Sequence, residues 1–175
     1  IEVNKLLAQY GSPLYVYDGA TIRRKVQELK NAFSGVDLKI KYACKANTNL
    51  SILKLMRSVG VELDVVSPGE LEMGQRAGYN ANQLTFTPSG VPFHEVAAAA
   101  EAGAIVNIDS LPLLEWFGKT YGNTKPCMIR IKPNVAAGGN VKIMTAHEDS
   151  KFGISVLLID AILELVNKYQ IKVIG

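Results

Sequence analysis

Three features of the 175-residue sequence predict an α/β fold built from repeated strand–helix units. Short apolar β-type runs alternate with amphipathic helical stretches along nearly the whole chain. The predicted strand ends at Lys45, Val66, Thr87, Asp109 and Lys132 recur roughly every 22 residues, a spacing that suits parallel strands joined by crossover helices. No glycine-rich fingerprint follows the first strand, which weighs against a doubly wound open sheet, the alternative that accommodates six parallel strands without closure. The prediction is an incomplete (β/α)8 TIM barrel with about six of the eight strands a closed ring needs. Because the chain stops at Gly175 directly after an apolar strand, a longer protein is expected, with residues 1–175 forming part of its barrel domain.

Taken in order, Leu14 to Tyr17 is predicted as a short strand. Asp18 then caps a helix through about Phe33, with Ile22, Val26, Leu29 and Phe33 on one stripe. Lys39 to Lys45 is the next strand, followed by a helix from Ser51 to Ser58 and a strand from Val61 to Val66. Ser67-Pro68-Gly69-Glu70 opens a helix with a capping serine, proline at the first helical position and glutamate three residues after the cap. Leu84 to Thr87 is a strand, Phe93 to Ala102 an alanine-rich helix, and Ile105 to Ile108 a strand. Ser110 is placed to cap a helix from Leu111 to Tyr121. Met128 to Lys132 is a strand, Val156 to Tyr169 a helix, and Lys172 begins the last strand.

Composition narrows the function. Net charge is +3 and the lysines are scattered rather than gathered in a basic arm, which speaks against nucleic-acid or membrane-surface binding. No apolar run reaches transmembrane length and no signal peptide opens the chain, which begins at Ile1, so the natural N-terminus is not expected to be represented in full. Cys44 and Cys127 lack metal-ligand spacing and read as buried free thiols in a reducing cytoplasm. His94 and His147, far apart in sequence, read as exposed and offer no metal site.

The candidate site centres on Lys45. Alternation along the strand sends Ile40, Tyr42 and Cys44 to one face and Ala43 and Lys45 to the other, so Lys45 ends a strand on the inner face beside small residues. Strand ends of this kind host sites in α/β folds, although a lysine snorkelling to solvent is the plainer reading. To attack a carbonyl the amine must be neutral, which at pH 7 costs on the order of 4 to 5 kcal/mol for an ordinary lysine. Burial in a barrel mouth and nearby positive charge lower that cost, and Lys39 and Lys41 share the strand parity of Lys45. A lysine so placed is suited to form a Schiff base with an aldehyde.

Five blocks in order, Tyr42-Ala43-Cys44-Lys45-Ala46-Asn47, Asp64-Val65-Val66-Ser67-Pro68-Gly69-Glu70-Leu71, Asn107-Ile108-Asp109-Ser110, Arg130-Ile131-Lys132-Pro133 and Asp149-Ser150-Lys151-Phe152-Gly153-Ile154, resemble the fold-type III pyridoxal-phosphate decarboxylases. The diaminopimelate branch of that family is the nearer match. The resemblance implies that Lys45 carries pyridoxal 5'-phosphate at the barrel mouth and is the catalytic residue. It also places Asp64 and Arg130 near the cofactor. For Arg130 a strand-end salt bridge, and for Asp64 packing against neighbouring lysines, remain equally open.

Further implications are a small amino-acid substrate, meso-diaminopimelate yielding L-lysine and carbon dioxide, and a cytoplasmic homodimer. Ornithine, arginine or carboxynorspermidine decarboxylases are the runner-up, and a non-catalytic pyridoxal-phosphate carrier or regulatory barrel is the rival of another class. Ser67 and Glu70 read as a capping box rather than as ligands. In Lys151-Phe152-Gly153 the glycine allows a turn and the lysine meets an acid. Ala136 to Asn140 does not follow a strand and open a helix, so it reads as a lid or insertion rather than a phosphate loop. The chain departs from the family's usual Pro-Gly-Val-Asp-Ala at Pro133-Asn134-Val135-Ala136-Ala137, and from its Thr-Gly at Thr145-Ala146. The family's ring-stacking histidine, phosphate loop, pyridine-facing acid, substrate arginines and catalytic cysteine would follow Gly175, so residues 1–175 alone are expected to be inactive.

Overall fold

The computed structural model describes residues 1–135 and 151–175, and the chain divides into two units, Ile1–Leu38 and Lys39–Gly175. His147, Asp149, Ser150 and the stretch from Ala136 to Asn140 fall outside the described residues. The first unit holds helices α1 (Val3–Tyr10) and α2 (Gly19–Ala32). Asp18 caps α2 as its position suggests, with Oδ1 accepting from the amides of Ala20 at 2.9 Å and Thr21 at 3.2 Å. Helix α1 was not anticipated. The predicted strand at Leu14–Tyr17 does not form: among the described residues these four are exposed and pair with no strand.

The second unit is a parallel sheet with its helices. In chain order it comprises β1 (Lys41–Ala43), α3 (Leu50–Ser58), β2 (Glu62–Val65), α4 (Pro68–Arg76), β3 (Leu84–Phe86), α5 (Phe93–Glu101), β4 (Ile105–Ile108), α6 (Leu111–Tyr121), β5 (Pro126–Ile129), β6 (Ile131–Lys132), β7 (Ile154–Ser155), α7 (Ile159–Tyr169) and β8 (Lys172–Val173). The main sheet runs β1-β2-β3-β4-β5-β8, all parallel. Strand order follows chain order with no reversal, so the doubly wound alternative, which needs a switch point, is excluded. Six strands do not close a ring, and the arrangement is the open barrel that the strand count predicts.

Two predicted strands end two or more residues before their expected ends, each for a local reason. After Ala43 the chain turns into a 3-10 helix, Cys44–Ala46, closed by the Asn47 amide donating to the Cys44 carbonyl at 2.9 Å. Lys45 therefore sits on a turn just past the strand. The expected strand Met128–Lys132 breaks at Arg130, where the chain changes partners. The Arg130 amide donates to the Ile108 carbonyl of β4 at 2.7 Å, while the Arg130 carbonyl accepts from the Ile154 amide of β7 at 2.8 Å. Beyond it, β6 pairs with β7 in a separate two-stranded sheet that the sequence reading missed.

Alternation within strands decides where the core sits. Leu63, Val65, Leu84, Phe86, Val106 and Ile108 are fully buried and pack with helix residues such as Leu53, Val96, Leu114 and Phe117. The opposite parity carries Glu62, Asp64, Thr85 and Asn107, and of these only Thr85 is fully buried. One face of the sheet is thus the hydrophobic core, and the other is a polar interior.

Gly118 lets α7 approach α6 closely. A Cβ built there would lie 2.7 Å from Ile171 Cδ1 and 2.8 Å from Tyr169 Cβ. Gly118→Ala gains about 1 kcal/mol of helix propensity but overpacks the contact by roughly 1–3 kcal/mol. Since Tyr169 Cβ cannot swing aside as a side-chain tip could, the overpacking wins. The expected result is a lower urea midpoint than wild type with an unchanged slope; an equal or higher midpoint would show that the helices can part without cost.

Candidate active site

At the carboxyl end of the sheet the polar interior opens into a cavity of about 670 Å³, within the range of small-molecule sites. Lys45, Asp64 and Arg130 all line it, delivered by the end of β1, the interior of β2 and the end of β5. Parity explains the convergence. The register pairs Asp64 with Thr85 and Asn107 with Met128, and all four side chains face the cavity.

Lys45 is exposed, and its amine makes no hydrogen bond or ion pair among the described residues. The desolvation expected for it is not supplied by these residues, because the incomplete ring leaves the cavity open. Lys41, also expected nearby, does line the cavity, but its Nζ is 2.5 Å from Glu62 Oε2 in a half-buried ion pair. Lys39 is not among the lining residues.

Asp64 is fixed by a neighbour rather than by a lysine. Its Oδ1 accepts from the Thr87 hydroxyl at 2.5 Å, and that hydroxyl lies 3.5 Å from Asn107 Nδ2, which donates to it. The expected packing of Asp64 against lysines is therefore replaced by a chain across β2, β3 and β4. Thr85 Oγ1 is buried without a partner in the same wall.

Arg130 is half-buried, with its guanidinium 4.7 Å from the centroid of the Phe152 ring. Lys151 places Nζ 5.2 Å from the same centroid, while the nearest acids in sequence, Glu148 and Asp149, lie outside the described residues. Gly153 is required where it stands: its φ is +82°, and a Cβ would lie 3.0 Å from the Arg130 carbonyl oxygen. Burial pushes the Asp109 carboxyl up, an effect opposed by the Arg130 charge.

Ser67 caps α4 as predicted, its Oγ accepting from the Glu70 amide at 3.3 Å. Ser110 stands at the N-cap of α6 without a side-chain capping bond. His94 is exposed, as expected. Thr85, Thr87, Ser89, Asn107 and Phe152 are not singled out as site residues by the sequence, although Asn107 and Phe152 stand in blocks that carry the resemblance; all five line the cavity. The signal available for three of them was a polar residue at inward parity in an apolar strand run.

The amine, carboxylate, guanidinium and hydroxyls suit a small, anionic, aldehyde-bearing group. The sequence matches the model of the family described as pyridoxal-dependent decarboxylase, pyridoxal binding domain, over residues 19–175. The chain belongs to the pyridoxal-dependent decarboxylases. The cofactor of this family is pyridoxal phosphate, and the donor set around the cavity fits it.

Among curated relatives, the diaminopimelate decarboxylase of Bacillus subtilis is 38% identical over 154 residues, which cover 85% of this chain and 35% of that protein. The diaminopimelate decarboxylase of Methanothermobacter thermautotrophicus is 35% identical over 152 residues, covering 86% of this chain and 36% of that protein. The chain thus spans little more than a third of the length of these relatives. The crystal structure of diaminopimelate decarboxylase from Helicobacter pylori complexed with L-lysine superposes with a TM-score of 0.87 at 29% identity, over 96% of this chain and 44% of that one. Among the described residues no helix is long and apolar enough to cross a membrane.

Two thiols and a phenol next to this scaffold make stability depend on pH in a defined direction. Burial pushes the thiols of Cys44 and Cys127 up from an ordinary value of 9.0 to about 12, with the Glu70 charge adding to the effect at Cys44. Burial also raises Tyr79 from 10.0 to about 12, where its hydroxyl donates to the Leu53 and Val61 carbonyls. Between these limits the unfolded chain gives up protons that the folded chain keeps, so stability is full below pH 9 and falls as pH rises toward 12. The expected slope is about 1.4 kcal/mol per pH unit for each thiol. Urea midpoints measured at pH 8 and pH 10.5 check this, and Cys127→Ala is expected to flatten the slope; an unchanged slope in that variant refutes the assignment.

Proposed function

We propose that the chain is part of a pyridoxal-phosphate-dependent decarboxylase that converts meso-2,6-diaminopimelate to L-lysine and carbon dioxide, the last step of lysine biosynthesis. The observation that carries this reading is the meeting of Lys45 from the turn after β1, Asp64 from β2 and Arg130 from just past β5 in one cavity of a chain of this family. Residues 1–175 are then a partial pyridoxal-phosphate-binding barrel domain, with the rest of the barrel and a carboxyl-terminal β domain elsewhere in the protein. Alone they do not turn over. A homodimer in the cytoplasm is the setting proposed for the whole enzyme, in keeping with the family resemblance.

In this reading Lys45 holds the cofactor through Nζ, and Asp64 and Arg130 are its further contacts. When bound, pyridoxal phosphate supplies an electron sink for the pair left behind as carbon dioxide departs. The chain's own residues set the stage for that chemistry. The Thr87 hydroxyl holds one oxygen of Asp64, so the carboxylate presents negative charge to an amine without having to reorient. Phe152 backs the Arg130 guanidinium, whose planar donors suit a carboxylate or phosphate oxygen.

Lys45 is checked directly in the whole protein. Pyridoxal phosphate should give a coloured adduct that borohydride fixes to Lys45, and Lys45→Ala should lose the adduct and slow carbon dioxide release roughly 10²–10⁴-fold. Fixation at Lys41, or nowhere, refutes the assignment. Carbon dioxide release compared among diaminopimelate, ornithine and arginine tests the substrate, and a preference for ornithine or arginine would move the enzyme to that branch.

A further inference from the structure

The turn that carries Lys45 is held from outside the cavity. Cys44, the first residue of that turn, is fully buried, and its thiol lies 3.5 Å from Glu70 Oε2, to which it donates. The same oxygen accepts from the Val66 amide at 2.9 Å. In a capping box the carboxylate three residues into a helix returns to the amide of the capping residue. Here it reaches one residue further back, to the end of β2, and across to the neighbouring turn. A single carboxylate oxygen therefore joins the end of β1 to the end of the strand that carries Asp64. At the far side of the turn the Tyr42 hydroxyl donates to the Asn47 carbonyl at 3.3 Å, so the turn is held at both ends while Lys45 between them projects to the cavity.

We infer that Glu70 is a positioning residue for Lys45: by accepting from the Cys44 thiol and the Val66 amide together, it fixes the turn and so the placement of the Lys45 amine relative to Asp64. The inference rests on Lys45 being the cofactor-bearing amine. Cys44 is fit for the task because burial and the adjacent carboxylate keep it a thiol, and only the protonated sulfur can donate to Glu70. A purely structural role for Glu70 would affect folding but leave the behaviour of Lys45 in the folded protein unchanged.

Two readouts on the whole protein separate these roles: the rate of Cys44 alkylation by N-ethylmaleimide without cofactor, and retention of pyridoxal phosphate at Lys45 fixed by borohydride. Glu70→Ala is expected to speed alkylation and to weaken retention, each about tenfold, as loosened positioning costs binding and rate together. Glu70→Gln, whose amide oxygen still accepts from Val66, should recover most of both. Cys44→Ala, which keeps the Val66 contact, should weaken retention to a smaller extent. If Glu70→Ala frees Cys44 yet retains cofactor as wild type does, the inference is overturned. Should Glu70→Ala fail to fold, wild-type retention in Cys44→Ala overturns it equally. If wild type fixes nothing at Lys45 while Glu70→Ala still frees Cys44, the clamp stands and the proposed function falls.

Discussion

The register of the parallel strands is the constraint on which the rest of the second unit depends. Parallel pairing aligns Leu63 with Leu84 and Val65 with Phe86, so every strand turns the same parity toward the helices. A slip of one residue in β2 would carry Leu63 and Val65 into the open interior and press Glu62 and Asp64 into the hydrophobic core. Burying those carboxylates away from their partners would cost several kcal/mol each, far more than a ladder hydrogen bond returns. The apolar face therefore locks the register, and the locked register aims Asp64, Thr85, Thr87 and Asn107 into one cavity. Core and site are two consequences of one alternation.

A second constraint acts at Arg130, where β5 ends. Its amide belongs to β4 and its carbonyl to β7, so its backbone is shared between two sheets. This divided pairing turns the chain without leaving a backbone group unsatisfied. It also brings Phe152 against the guanidinium, since the approach of β7 demands the backbone contact that only Gly153 permits. The Lys151-Phe152-Gly153 block thus has a mechanical meaning: glycine admits the strand and phenylalanine backs the arginine.

Much of this was legible in the sequence, and the failures share a cause. Strand period and helix caps are local, so Asp18, Ser67 and the span Leu111–Tyr121 could be read from neighbours a few residues away. The parity that sent Lys45 one way and Cys44 the other was read correctly even though the strand ends before either residue. What could not be read was pairing over long separations. Leu14–Tyr17 has the composition of a strand but no partner among the described residues, and β7 has a partner but only two residues of pattern. Thr87 as the anchor of Asp64 lies 23 residues away in sequence and becomes evident only through the register. The sequence pattern makes Glu70 half of a capping box, whereas its carboxylate serves the preceding strand and the Lys45 turn.

The two cavity lysines of β1 and its turn differ in a way that bears on which of them can act. Lys41 and Lys45 share a parity and line the same wall, so alternation alone cannot choose between them. Glu62 chooses. Paired in register with Lys41, it holds the Lys41 amine in a half-buried ion pair. Withdrawing that amine to bond a ligand would leave the carboxylate of Glu62 without its partner, a large penalty for a charge held partly out of water. Lys45 has no such partner among the described residues and can be engaged without breaking a contact. An acid two residues before Asp64 thus keeps Lys41 occupied, and under the proposed function the pairing of β1 with β2 leaves Lys45 as the amine to engage.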